Sequence, residues 1–142
     1  MSTILYVEDN FQNFRLVMRM LNAEDKNYVV ERAEDGGSAL ARVAEVKPDL
    51  IFMDINLPDI DGMEITRQIK EKPEYASIPV IALTANAMVG DRERYLSEGC
   101  DDYLRKPISR TELRGVLDRF LPNGKDGAKS NGNGKNGSTP AE

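Results

Sequence analysis

Apolar and polar positions along the chain switch repeatedly between two periods. Ile4-Leu5-Tyr6-Val7 is a short unbroken apolar run, the mark of a strand, and Phe14, Val17, Met18 and Leu21 then fall at i, i+3, i+4, i+7, one face of a helix. Asn10 stands where the cap of that helix belongs. Tyr28-Val29-Val30 opens a second strand, Leu40, Val43 and Ala44 mark the helix after Gly36-Gly37, and Pro48 punctuates its end. Leu50-Ile51-Phe52-Met53 is apolar throughout, as a central strand covered on both faces must be, and it stops abruptly at Asp54. After Asp61-Gly62 the pair Ile65 and Ile69 gives a weaker helical face, and Pro79 to Leu83 is a fourth strand ending in Thr84. The helix beyond Asn86 is the least periodic. Cys100-Asp101-Asp102-Tyr103-Leu104 is the most polar strand, suited to a sheet edge, and Leu113, Val116, Leu117 and Phe120 repeat the helical face behind a cap at Ser109 or Thr111.

Five strands each followed by a helix predict an α/β fold, a (βα)5 open parallel sheet. In such a sheet the functional crevice lies outside the carboxyl ends of the strands. Composition adjusts this picture at one end only. The chain has 142 residues, room for one domain, yet residues 122–142 hold five of the eleven glycines and no large apolar side chain. Nothing there offsets an ordering cost of about 1–2 kcal/mol per residue. Residues 1–121 are therefore read as the folded domain and 122–142 as a disordered tail rich in Gly, Asn and Lys, with a linker or docking segment as the functional alternative.

Charge and absences narrow the chemistry. There is no histidine and a single cysteine, Cys100, which removes serine-histidine catalysis, thiolate metal clusters and internal disulfides. A net charge of −5 argues against direct binding to nucleic acid. No run approaches the roughly 18 apolar residues of a membrane span, and Met1-Ser2-Thr3-Ile4 enters a strand with no basic segment before it, so no membrane insertion and a cytoplasmic location are expected.

The strand ends carry Glu8-Asp9, Asp54, Thr84 and, after the fifth strand, Lys106-Pro107. Taken singly, each has an ordinary use as a cap or a solvated side chain. Together they demand compensation, because two like charges about 4 Å apart repel by roughly 4 kcal/mol at an effective dielectric of 20. One lysine offsets part of that. An oxygen-rich cluster of Asp9, Asp54 and Glu8 with a backbone carbonyl suits a hard divalent cation, Mg2+ above all. A carboxylate beside such a cation can attack phosphorus, with Lys106 and Thr84 holding phosphoryl oxygens, and a carboxylate nucleophile needs no general base.

At these residues the chain resembles the response-regulator receiver domains of two-component signalling. The resemblance rests on Val7-Glu8-Asp9-Asn10, on Met53-Asp54-Ile55-Asn56-Leu57-Pro58-Asp59-Ile60-Asp61-Gly62, on Ala82-Leu83-Thr84-Ala85 and on Asp101-Asp102-Tyr103-Leu104-Arg105-Lys106-Pro107, and it spans about residues 3–121. It implies a flavodoxin-like doubly wound sheet of order 2-1-3-4-5. It further implies that Asp54 accepts a phosphoryl group from a sensor histidine kinase or a histidine phosphotransfer protein, and that Glu8, Asp9, Asp54 and the Asn56 carbonyl surround Mg2+. Phosphate binding would fall to Thr84, Ala85 and Lys106, switching to Thr84 and Tyr103, and the Lys106-Pro107 peptide bond is a cis candidate. Asn10 and Asn13 resemble the receivers of phosphorelays and hybrid kinases, and Asn56 and Asn86 would line the approach of water. Phe11, Phe14 and Met18 lie on a first-helix face that related receivers use to dock helical bundles.

With no output module after Leu121, the expected function is a single-domain response regulator that catalyses only its own phosphorylation and dephosphorylation. Its signal would leave through a protein target on the face of the fourth helix, fifth strand and fifth helix. Two alternatives remain: a receiver-like binding module that works without phosphorylation, and an aspartyl-phosphate hydrolase of the haloacid-dehalogenase type. The second lacks the usual Asp two residues after the nucleophile, where Asn56 stands.

Overall fold

The computed structural model describes residues 2–24, 28–85 and 91–121. Five parallel strands, β1 (Ser2–Val7), β2 (Tyr28–Ala33), β3 (Leu50–Asp54), β4 (Val80–Thr84) and β5 (Asp102–Arg105), alternate with five helices. The helices are α1 (Phe11–Asn22), α2 (Gly36–Val46), α3 (Gly62–Glu71), α4 (Asp91–Ser97) and α5 (Arg110–Phe120). The sheet order is β2-β1-β3-β4-β5, the flavodoxin-like arrangement expected from the resemblance.

Strand period 2 sorts the core into two layers. Ile4, Tyr6, Leu50, Phe52, Ile81, Leu83 and Leu104 face α1 and α5, packing on Phe14, Val17, Leu21, Leu113, Val116 and Leu117. Leu5, Val7, Ile51, Met53, Val80 and Ala82 face α2, α3 and α4, meeting Ala39, Val43, Ile65, Ile69 and Tyr95. Both faces of β3 and β4 are therefore covered, which explains their unbroken apolar sequences. The register pairs Val7 with Ala33 and Met53, Asp54 with Leu83, and Thr84 with Arg105, so the strand ends form one rim.

Helix starts follow local chemistry. Asn10 caps α1 by accepting from the Asn13 N–H at 3.0 Å, and Ser109 caps α5 by accepting from the Glu112 N–H at 3.1 Å, which decides between Ser109 and Thr111. Three details depart from the periodicity. Gly36 and Gly37 lie inside α2 rather than before it, because Asp35 is the cap and the buried face runs Gly36, Ala39, Val43, with Ala44 exposed. Met18 and Phe120 are only partly buried against the core. Strand β5 begins at Asp102, two residues later than the apolar pattern suggests. Gly99 turns the chain at φ 118°, and the Asp101 carboxylate instead accepts from the Val80 N–H at 2.8 Å and from Lys70 Nζ at 3.0 Å. Among the described residues no helix is long and apolar enough to cross a membrane. The tail 122–142 and Asn86 lie outside the described residues.

Candidate functional site

Tyr6 and Glu8 at the end of β1, and Phe52 and Asp54 in β3, stand two residues apart on strands that are direct neighbours, so both acids fall on the side of the sheet that α1 and α5 cover. Both are buried, with 1% and 2% of their surface exposed, while Asp9 is exposed at the rim. Carboxylate oxygens of Glu8, Asp9 and Asp54 all lie within 4.8 Å of one another. Into this cluster comes Lys106, whose Nζ is 3.1 Å from Glu8 Oε1 and 3.2 Å from Asp54 Oδ1. Its own N–H donates to the Thr84 carbonyl at 2.8 Å, so the end of β4 anchors it. The Lys106-Pro107 peptide bond is cis.

Asp54 and Glu8 have further donors. The Asn56 N–H donates to Asp54 Oδ1 at 3.0 Å, the Asn10 N–H to Glu8 Oε2 at 3.3 Å and the Tyr6 hydroxyl to Glu8 Oε1 at 3.4 Å. Burial, and next to it the negative Asp54, push the Glu8 carboxyl above its usual range against the pull of Lys106. Burial and the same two acids push the Tyr6 phenol well above its ordinary value. A carboxyl held in this way is under-compensated: Glu8 and Asp54 share one ammonium, with the Asp9 carboxylate beside them. The donor set, all hard oxygen and open to the rim through Asp9, fits a divalent cation such as Mg2+.

Thr84 is buried at the tip of β4 and Ala85 beside it is exposed. Tyr103 is half-buried on β5, its ring 5.8 Å from that of Tyr95 on α4. The structure thus brings Glu8, Asp9, Asp54, Asn56 and Lys106 into direct contact or close approach, with Thr84 joined through its backbone, and places Tyr103 on the neighbouring edge strand.

Four residues act at this rim in ways that periodicity and residue type do not reveal. Tyr6 reads as core, yet its hydroxyl reaches Glu8. Arg32 on β2 donates from Nε to the Glu8 carbonyl at 3.1 Å and from Nη2 to the Asp9 carbonyl at 3.0 Å. A Cβ on Gly62 would lie 2.3 Å from the Asp54 carbonyl oxygen, so only glycine lets α3 start against the end of β3. Asp59 accepts from the Gly36 and Gly37 N–H groups at 3.0 and 2.9 Å, tying the loop after Asp54 to the start of α2.

A doubly wound sheet with a buried strand-end aspartate, two acidic neighbours and a facing lysine defines a receiver domain, and the chain belongs to the response regulator receiver domain family, whose model matches residues 4–118. It is 44% identical over 119 residues to the polar-differentiation response regulator DivK of Brucella anthropi, covering 84% of this chain and 95% of DivK. Over 120 residues it is 40% identical to the signal transduction histidine-protein kinase BarA of Escherichia coli, covering 84% of this chain but 13% of the kinase. Among solved structures, the receiver domain of the sensor histidine kinase PA1611 of Pseudomonas aeruginosa is 40% identical, with a TM-score of 0.76 over 86% of this chain and 98% of that one. That structure has a magnesium ion coordinated in the active site cleft.

Proposed function

We propose that this chain is a single-domain response regulator whose Asp54 accepts a phosphoryl group from a sensor histidine kinase or a histidine phosphotransfer protein, and whose phosphorylation switches protein contacts. The observation that carries the reading is the convergence of Lys106 Nζ on Glu8 and Asp54 at 3.1 and 3.2 Å beside Asp9. An Asp54 carboxylate oxygen attacks phosphorus as the phosphorus–nitrogen bond of the donor breaks, leaving an acyl phosphate on Asp54 and the donor imidazole to take up a proton. Lys106 turns from Asp54 Oδ1 to an incoming phosphoryl oxygen, and the Thr84 hydroxyl with the Ala85 N–H receives another. Mg2+ bound by Glu8, Asp9, Asp54 and the Asn56 carbonyl would supply the remaining positive charge. The buried Tyr6 and Phe52 lie beneath the site, two residues before Glu8 and Asp54 on the same strands.

Movement of Thr84 toward the phosphoryl group and of the Tyr103 ring into the space it leaves biases a two-state equilibrium. The face of α4, β5 and α5 carries the result to a protein target. Phosphodonor docking belongs on α1, where Phe11 and Leu16 are 52% and 54% exposed beside Arg15 and Arg19. The acidic net charge of −5 disfavours nucleic acid as a direct partner, and the cytoplasm, where such donors are phosphorylated, is the proposed location.

The test is labelling by acetyl phosphate or a histidine kinase with Mg2+, read by intact mass. The wild-type chain gains one phosphoryl group and Asp54→Asn gains none. Equal labelling of both proteins overturns the assignment, and equal affinity of a captured target for the labelled and unlabelled forms would favour a constitutive binding module.

A further inference from the structure

Arg32 is a cation placed beside a site that gathers cations. It stands on β2, a strand that contributes no carboxylate to the cluster, and its two described hydrogen bonds run to the main-chain carbonyls of Glu8 and Asp9 at 3.1 and 3.0 Å. The guanidinium lies against α1, and the Arg32 main chain is tied to α2. The guanidinium carbon lies 5.4 and 5.6 Å from the ring centroids of Phe11 and Phe14, and the Arg32 carbonyl accepts from Arg42 Nε at 3.3 Å. Arg42 in turn is paired with Glu31 and Glu45, at 2.6 and 2.9 Å.

Charge alone would make Arg32 a disadvantage, since an ammonium or guanidinium near a divalent ion repels it. Its geometry does something else. Two parallel donors in a fixed planar fork grip successive carbonyls at the point where the chain leaves β1 and enters α1. The peptide planes on either side of Asp9 are thereby fixed, and with them the direction in which the exposed Asp9 carboxylate leaves the backbone. We infer that Arg32 is a positioning residue of the cation site, holding the Glu8–Asp9 turn through its carbonyls. The inference rests on the metal reading given above.

Repulsion and positioning predict opposite signs, which makes the role measurable without any phosphorylation assay. Mg2+ is titrated into the full chain and into Arg32→Lys and Arg32→Met, with amide chemical shifts as the readout so that only folded molecules are counted. Lys keeps the charge and loses the fork; Met keeps bulk over the Phe11 and Phe14 rings and loses both. A positioning role weakens Mg2+ binding about tenfold in Arg32→Met, the low end of the roughly 10- to 100-fold cost of losing an outer-shell partner, and by a smaller factor in Arg32→Lys. If the residue acts through charge alone, Arg32→Met binds Mg2+ more tightly and Arg32→Lys is unchanged. Affinity in Arg32→Met equal to or above wild type overturns the inference while leaving the metal site standing. A wild-type chain that takes up no Mg2+ overturns both.

Discussion

Lys106 is the residue on which the electrostatics of the site turn. Its ammonium lies 3.1 Å from a Glu8 carboxyl oxygen and 3.2 Å from Asp54, both buried, and only 20% of the lysine side chain is exposed. Removing one partner of such a group leaves uncompensated buried charge, at a cost of about 3–5 kcal/mol. Lys106→Met, which keeps the length and loses the charge, is therefore expected to lose about 3 kcal/mol in urea unfolding at neutral pH with EDTA present. The same substitution removes a competitor for the carboxylates. Added Mg2+ should raise the melting temperature of Lys106→Met by more than it raises that of wild type, since a ligand that binds only the folded state stabilises by an amount that grows with the logarithm of its affinity. An equal rise in both proteins would mean that Lys106 and the cation do not share these acids.

At the scale of elements, the loop after β3 is held to the start of α2 by the Asp59 carboxylate, which sits on two free N–H groups of the helix and meets its positive end. Those bonds, the Gly36 N–H first, hold the Asp59 carboxyl below its ordinary range. A depressed folded value means stability that is present above the ordinary carboxylate range and lost as the pH falls through the folded value. Asp59→Ala should accordingly melt below wild type at neutral pH, with the gap closing as the pH drops below about 3.8 and Asp59 takes up its proton. A gap independent of pH in thermal melts would assign the loss to packing around Ile60. This clamp also shows why part of the site was not legible in the sequence. The strands, the cap at Asn10 and the acids at the strand ends are side-chain patterns with a fixed period or a fixed place, and they can be read directly. Asp59, Arg32 and Gly62 act on main-chain groups of distant segments, and main-chain N–H and C=O groups look the same at every position. Tyr6 is hidden for a different reason: its ring satisfies the core pattern while its hydroxyl serves the site. Asp101 misled the strand boundary because its carboxylate bonds to the neighbouring strand's backbone, an interaction no alternation pattern records.

For the molecule as a whole, the sheet separates two apolar layers that meet only through its strands, and the single thiol belongs to one of them. Cys100 is buried among α3 and α4 residues, with its sulfur 3.7 Å from Met63 Sδ, and burial pushes its thiol up to about 11. At pH 8 roughly one thiol in a thousand would then be ionised, and thiolate is the reactive form. Native protein should react with a maleimide roughly a hundredfold more slowly than protein in concentrated urea. Fast native labelling would mean that the α3 and α4 layer opens without global unfolding. The late place of Lys106 in the chain has its own consequence during synthesis. Glu8, Asp9 and Asp54 all leave the ribosome before Lys106 does, and β1 and β3 can pair as soon as both are made. A nascent chain that closes this pairing early brings Glu8 and Asp54 together before the ammonium that pairs with both has been translated. Pairing of the central strands is therefore expected to gain stability only once the C-terminal third has been made, which favours folding of the domain as one unit.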